Sequence, residues 1–126
     1  MDLTPLIPAG RQVIESYGSP GFRVTGVLHC GSVIVFPDAT LAWPVRELAE
    51  VTIGSLAPVT GRGGVEILLL GCGVRMQPVA TQLRRALKEA GIVVDAMDTG
   101  AACRTYNVLM AEDRHVAAAL LSLGVA

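Results

Sequence analysis

The sequence predicts an α/β fold: a three-layer single domain, 1–126, with an N-terminal antiparallel β meander followed by a β-α-β-α-β unit with parallel strands. Three observations predict it. The first half carries short β-type segments broken by Gly and Pro. Beyond Gly61-Arg62-Gly63-Gly64, apolar strand patterns alternate with a helical one. The length, 126 residues, is that of one domain and is enough to bury a core without metals or disulfides.

In chain order, Gln12 to Tyr17 is a short strand candidate, and Tyr17-Gly18-Ser19-Pro20-Gly21 is a turn cluster. Phe22 to His29 alternates in polarity and reads as one half-buried strand. Cys30-Gly31-Ser32 then closes a hairpin into Val33-Ile34-Val35-Phe36, and Pro37-Asp38 ends that strand. Thr40 to Trp43 reads as a further short strand before Pro44. Arg46 to Val51 is ambiguous, and Ile53 to Val59 has room for a helical turn.

Glu66 to Leu70 is a continuous apolar run of the kind buried on both faces of a parallel sheet. Gly71-Cys72-Gly73 makes a tight turn, and Pro78 suits the first turn of a helix. Val79, Leu83, Ala86, Leu87 and Ala90 fall on one helical face, and Gly91 is placed to end that helix. Ile92 to Ala96 is the next strand. Thr99 is the expected N-cap of a second helix over about Ala101 to Glu112. Val116 to Leu121 reads as the last strand in preference to a helix extension, although Ala117-Ala118-Ala119 favours helix locally. A strand there completes the parallel unit with right-handed crossovers.

The apolar fraction is 52% and the charged fraction 17%, which argues for a folded chain. A net charge of −1 argues against a nucleic-acid binder, which needs a basic stripe to neutralise phosphates. The three cysteines, Cys30, Cys72 and Cys103, form no CxxC motif. That number suits a reducing compartment, so a cytoplasmic location, no metal and no cofactor are expected. No apolar run is long enough to span a bilayer, so no membrane insertion is expected.

Four blocks, read in order, carry a resemblance: Gly21-Phe22-Arg23-Val24-Thr25-Gly26, Gly31-Ser32-Val33, Leu68-Leu69-Leu70-Gly71-Cys72-Gly73, and Ala101-Ala102-Cys103-Arg104-Thr105-Tyr106-Asn107-Val108-Leu109 with Ala111-Glu112. From about Ile14 to Leu121 the chain resembles a family of small bacterial and archaeal domains. Its eukaryotic members include the mitochondrial NADH:ubiquinone oxidoreductase assembly factor 3. The resemblance implies a three-layer α/β domain with sheet on one side and helices on the other. It also implies a protein-binding role without a settled enzymatic activity. Members commonly carry Thr between the two glycines where this chain has Cys72, so a hydroxyl-dependent role of that turn does not carry over.

In an open parallel sheet, ligands bind beyond the carboxyl ends of the strands. If Leu70 and Ala96 end neighbouring strands, two helix N-termini converge there, and their N–H groups favour an anion of carboxylate or phosphate size. The candidate residues are Gly71, Cys72, Gly73, Thr99, Cys103 and Arg104, with Arg104 supplying a planar donor fork. Cys103, in the first helical turn beside Arg104, is the candidate reactive thiol. The competing structural account gives the glycines only conformational roles. In that account Arg104 pairs with Asp98 or Glu66, and Tyr106 and Asn107 merely tie the helix to neighbouring segments. Trp43 and Met110 are candidate partner contacts, and a mean hydropathy of +0.54 points to a homo-oligomer or a protein partner. No residue is assigned a catalytic role. The expected function is therefore a non-enzymatic, protein-binding accessory factor assisting assembly of a respiratory or membrane complex. The alternative is a protein that binds small anions or small molecules, or a thiol-dependent enzyme, using 71–73 and 99–104.

Overall fold

Two sheets organise the chain in the computed structural model, which describes residues 10–18 and 21–123. The first is antiparallel, β1 (Ile14–Tyr17), β2 (Gly21–Val24) and β3 (Val27–Cys30) in that order. The second contains β4 (Val33–Phe36), β5 (Ala39–Ala42), β6 (Ile67–Gly71), β7 (Val93–Met97) and β8 (Val116–Leu120), in the spatial order β5-β4-β8-β6-β7. A helical turn, α1 (Ala57–Thr60), precedes β6, and two longer helices follow, α2 (Thr81–Glu89) and α3 (Thr99–Ala111).

β6 runs parallel to β7 and to β8, so the β-α-β-α-β unit is present, and β4 joins β8 antiparallel. The connection through α2 steps from β6 to one side, and that through α3 steps back past β6 to the other. Crossovers of one hand that travel in opposite directions must cross opposite faces of the sheet. The three layers are therefore a central sheet with helix on both sides. One face carries α2 with the chain from Trp43 to Val59, and the other carries α3 together with the small sheet.

This double covering explains the apolar runs. In β4, Ile34 and Phe36 face the α2 side while Val33 and Val35 face the α3 side, and all four are buried. In β8, Ala117 and Ala119 take the first side, and Val116, Ala118 and Leu120 the second. The alanine run is a strand because burial on both faces outweighs its local helix preference.

Several local expectations are corrected. Phe22 to His29 is a hairpin, with Val24 paired to Val27 across Thr25 (φ 45) and Gly26 (φ 81). Two consecutive positive φ angles make the tight turn whose twist matches antiparallel strands. Its tip is held to the start of β1: Val13 N–H donates to Thr25 Oγ1 (2.8 Å) and Thr25 N–H donates to Val13 O (2.9 Å). Cys30-Gly31-Ser32 links the two sheets instead of closing a hairpin, because β3 and β4 belong to different sheets. The hairpin partner of β4 is β5, across Pro37-Asp38. Ser19 and Pro20 of the expected turn lie outside the described residues. α2 begins at Thr81, after Pro78, because Ala80 is still extended (ψ 136) and Val79 packs onto the core. Gly91 (φ 82) follows that helix as expected.

Candidate functional site

The carboxyl ends of β6 and β7 lie side by side, with Leu70 opposite Ala96 and Gly71 opposite Met97. There the Gly71-Cys72-Gly73 turn meets the start of α3. Gly73 N–H donates to Thr99 Oγ1 (2.9 Å), Thr99 N–H donates to Gly73 O (2.8 Å), and the Thr99 hydroxyl donates to Leu121 O (2.8 Å). Thr99 is fully buried and fastens three segments together. The N-cap is instead Asp98, whose Oδ1 accepts the Ala101 N–H at 2.9 Å. Asp98 is extended while Thr99 has already entered the helix, so only the former can cap.

The two glycines serve different ends. A Cβ at Gly71 would sit 3.0 Å from the Thr99 Cα, so that position keeps the helix close to the strand. Gly73 has φ 96, a conformation that side chains resist. Of the two helix starts expected to converge here, α3 is present, whereas α2 begins after the intervening residues 74–80. The α3 donors on Thr99 and Ala101 are already engaged within the protein.

The remaining candidates separate. Cys72 and Cys103 are buried. Burial pushes the Cys103 thiol up to about 12; Arg104 pulls against that rise and Asp98 adds to it. Desolvation therefore outweighs the favourable neighbour, and the expected thiolate is not formed at neutral pH. Arg104 is exposed and donates from Nη1 to the Tyr17 hydroxyl (2.6 Å), pairing with neither Asp98 nor Glu66. Glu66 sits instead against His115 Nδ1 (2.7 Å).

The Arg104-Thr105-Tyr106-Asn107 block is a structural seam. Tyr106 is fully buried and its hydroxyl donates to Gln12 O (2.9 Å). The Asn107 amide accepts the Ile14 N–H (2.9 Å) and donates to Ile14 O (2.8 Å), so it pairs with the outer edge of β1 as a neighbouring strand would. Trp43 and Met110, expected as partner contacts, are both interior, 4% and 0% exposed. Trp43 is covered because the chain from Val45 to Val59 folds over it, and Met110 because α3 turns it onto the sheet.

One constellation was not visible in the sequence. Arg11 pairs with Asp113 (2.8 Å), and Arg62 pairs with Asp38 while lying 4.1 Å over the Phe36 ring. With Arg114 and His115 they line a cleft of about 260 Å³. These residues are scattered along the chain, so no local motif announces them. Among the described residues no group of three or more His, Cys, Asp or Glu could hold a metal, and no helix is long and apolar enough to cross a membrane.

The buried Cys103 sets an alkaline limit on stability. Its folded pKa lies above the unfolded value of about 8.5, so the unfolded chain loses its proton first as pH rises. Its contribution is intact below about pH 8.5 and is lost toward pH 12, at about 1.4 kcal/mol per pH unit. Denaturant titrations at stepped pH should show this decline, and Cys103→Ala should flatten it. The raised pKa of Tyr106, also caused chiefly by burial, adds its own slope from about pH 10 upward, so Cys103→Ala flattens the decline chiefly below that pH. An equally steep decline in the Cys103→Ala variant would contradict this account.

A family model described as "Protein of unknown function (DUF498/DUF598)" matches residues 14–121. Among curated relatives, the NADH dehydrogenase [ubiquinone] 1 alpha subcomplex assembly factor 3 of Danio rerio is 36% identical over 110 residues. That match takes in 86% of this chain, and the chain spans 63% of the relative's length. Among solved structures, a crystal structure described as an outer membrane protein from Bartonella henselae superimposes with a TM-score of 0.83 at 39% identity, covering 90% of this chain and 96% of the other. A solution structure of a Bordetella pertussis protein described as a Mth938-like domain gives a TM-score of 0.79 at 32% identity, covering 98% and 94%.

Proposed function

We propose, from the premise that the chain belongs to the DUF498/DUF598 family, that it is a protein-binding accessory factor that assists assembly of a respiratory NADH dehydrogenase. The observation that carries this reading is the 36% identity over 110 residues to an assembly factor named for that enzyme. Fold alone does not transfer function; the support here is sequence identity sustained over 86% of this chain and 63% of the relative. The site chemistry supports an accessory role over a thiol-dependent enzyme. Cys103 is held as a neutral thiol, and the Tyr106 and Asn107 side chains are spent on joining α3 to the first sheet.

The test is affinity capture of the tagged full chain from its native host, beside a deletion strain. NADH dehydrogenase subunits should be enriched over a tag-only control, and the assembled enzyme should fall in the deletion strain. Capture without any such subunit, together with an unchanged level of assembled enzyme, overturns the proposal.

A further inference from the structure

We infer that the end of the molecule formed by the Val74-Arg75-Met76 loop, Tyr17 and Arg104 is a docking surface for a polypeptide segment that presents aliphatic side chains flanked by carboxylates. This rests on the protein-binding reading above and specifies its surface. Val74 is 77% exposed, Met76 60% and Tyr17 40%. Exposed apolar residues scattered singly are ordinary, but a group of them is not. These lie at one end of the molecule, because short contacts tie the base of the loop to Tyr17. Gly73, which begins the loop, is doubly bonded to Thr99. The next residue, Gly100, lies under the Tyr17 ring so closely that a Cβ there would meet it at 2.9 Å. Arg104 in turn donates to the Tyr17 hydroxyl.

The loop springs from a fixed base, so an incoming segment meets a partly preorganised surface. Its residue types, Met, Tyr and Arg, are those enriched where proteins meet, and Met adapts to irregular partners.

Charge decides the partner's chemistry. Among the described residues, ion pairs form at Arg11, Arg62 and His115, and none forms at Arg75 or Arg104. Asp98, one residue before Thr99, caps α3 through Oδ1 and keeps its negative charge. Arg75 and Arg104 are both exposed at the end that carries Val74, Met76 and Tyr17, and they outnumber the Asp98 carboxylate there, which matches an acidic and aliphatic segment. An anionic lipid surface has the same charge, but two arginines at about 1 kcal/mol each, on a chain of net charge −1, make a weak membrane anchor.

The experiment places a photoreactive p-benzoylphenylalanine at Met76 of the full chain in its native host. A control chain carries it at Glu89, at the far end of α2. After irradiation the adducts are sequenced by mass spectrometry. The expected result is an adduct from Met76 but not from Glu89, on a peptide in which Asp or Glu flanks aliphatic residues. Arg75→Glu with Arg104→Glu should cut its yield by about tenfold or more, and the two lysine replacements should largely retain it. Should Arg104→Glu fail to fold, Arg75→Glu alone, on the exposed loop, must still reduce the yield.

Four outcomes overturn the inference: no Met76 adduct; an adduct confined to this chain or a second copy; a yield indifferent to charge reversal; or co-sedimentation of the purified protein with phosphatidylcholine–phosphatidylserine vesicles that Arg75→Glu abolishes. A charge-sensitive adduct on an acidic segment outside the NADH dehydrogenase sustains the surface and counts against the assembly role. Capture of dehydrogenase subunits unaffected by these substitutions does the reverse.

Discussion

Trp43→Ala is expected to destabilise the fold by about 3–5 kcal/mol, a large share of the total for a domain of this size. Trp43 is 4% exposed, within the core between the central sheet and α2. Its indole Nε1 donates to Ser55 O at 2.8 Å, tying the start of the covering segment to its middle. Ser55 also exchanges backbone-to-side-chain bonds with Thr52, so the indole holds a turn that is already braced. Truncation opens a cavity, orphans the Ser55 carbonyl and loosens the cover over Leu56 and Val59. Trp43→Phe, which keeps most of the apolar volume and loses the hydrogen bond, should cost markedly less. Denaturant unfolding followed by far-UV circular dichroism measures both, since the alanine variant lacks the chain's one tryptophan. Equal stability of the alanine variant and the wild type would mean that this segment does not pack on the sheet.

The same residue shows where the sequence was legible and where it was not. Beyond Gly64 the elements could be read on separate grounds: Glu66 to Leu70 is a continuous apolar run, Leu83 with Leu87 marks a helical face, and a strand from Val116 completes the parallel unit despite its alanines. Whether Trp43 faces a partner or the core depends on the chain from Val45 to Val59 folding back over it, and no local pattern encodes that. The Thr25-Gly26 turn was missed for a related reason. Phe22 to His29 alternates without a break, but a two-residue turn reverses the parity. Val24 pairs with Val27 and Phe22 with His29, which leaves Leu28 outside, paired with Arg23 and 48% exposed.

At the candidate site the start of α2 lies beyond residues 74–80, Arg104 meets Tyr17 in place of a carboxylate, and the other departures are of magnitude and of one residue. Arg104 favours the Cys103 thiolate as expected, but burial outweighs it and Asp98 adds to the rise. Asp98 and Thr99 can each cap a helix by chemistry, and the cap falls on Asp98 because Thr99 is held inside by Gly73 and Leu121. The structural account of Tyr106 and Asn107 is the one the geometry supports.

Asn107→Ala is expected to cost about 2–4 kcal/mol, although it removes few apolar contacts. The loss comes from what is left behind. Ile14 is 5% exposed, and both its N–H (2.9 Å) and its C=O (2.8 Å) are satisfied by the one amide. Without the amide, a partly buried donor and a partly buried acceptor lose their partners together, at up to about 1–3 kcal/mol each before relaxation or water entry. Asn107→Leu should fare no better, since added volume restores neither bond. That equivalence separates a hydrogen-bonding role from packing. Because β1 meets α3 through this residue, the first sheet should open ahead of the central one. Hydrogen exchange of the Ile14 amide should therefore accelerate, while amides of β6 and β8 keep the protection set by global unfolding. The Tyr106→Phe change, which frees only Gln12 O, should cost about 1 kcal/mol. If Ile14 exchanged at its wild-type rate in Asn107→Ala, the seam would lie elsewhere and the block from Arg104 to Asn107 would need a role other than joining the two sheets.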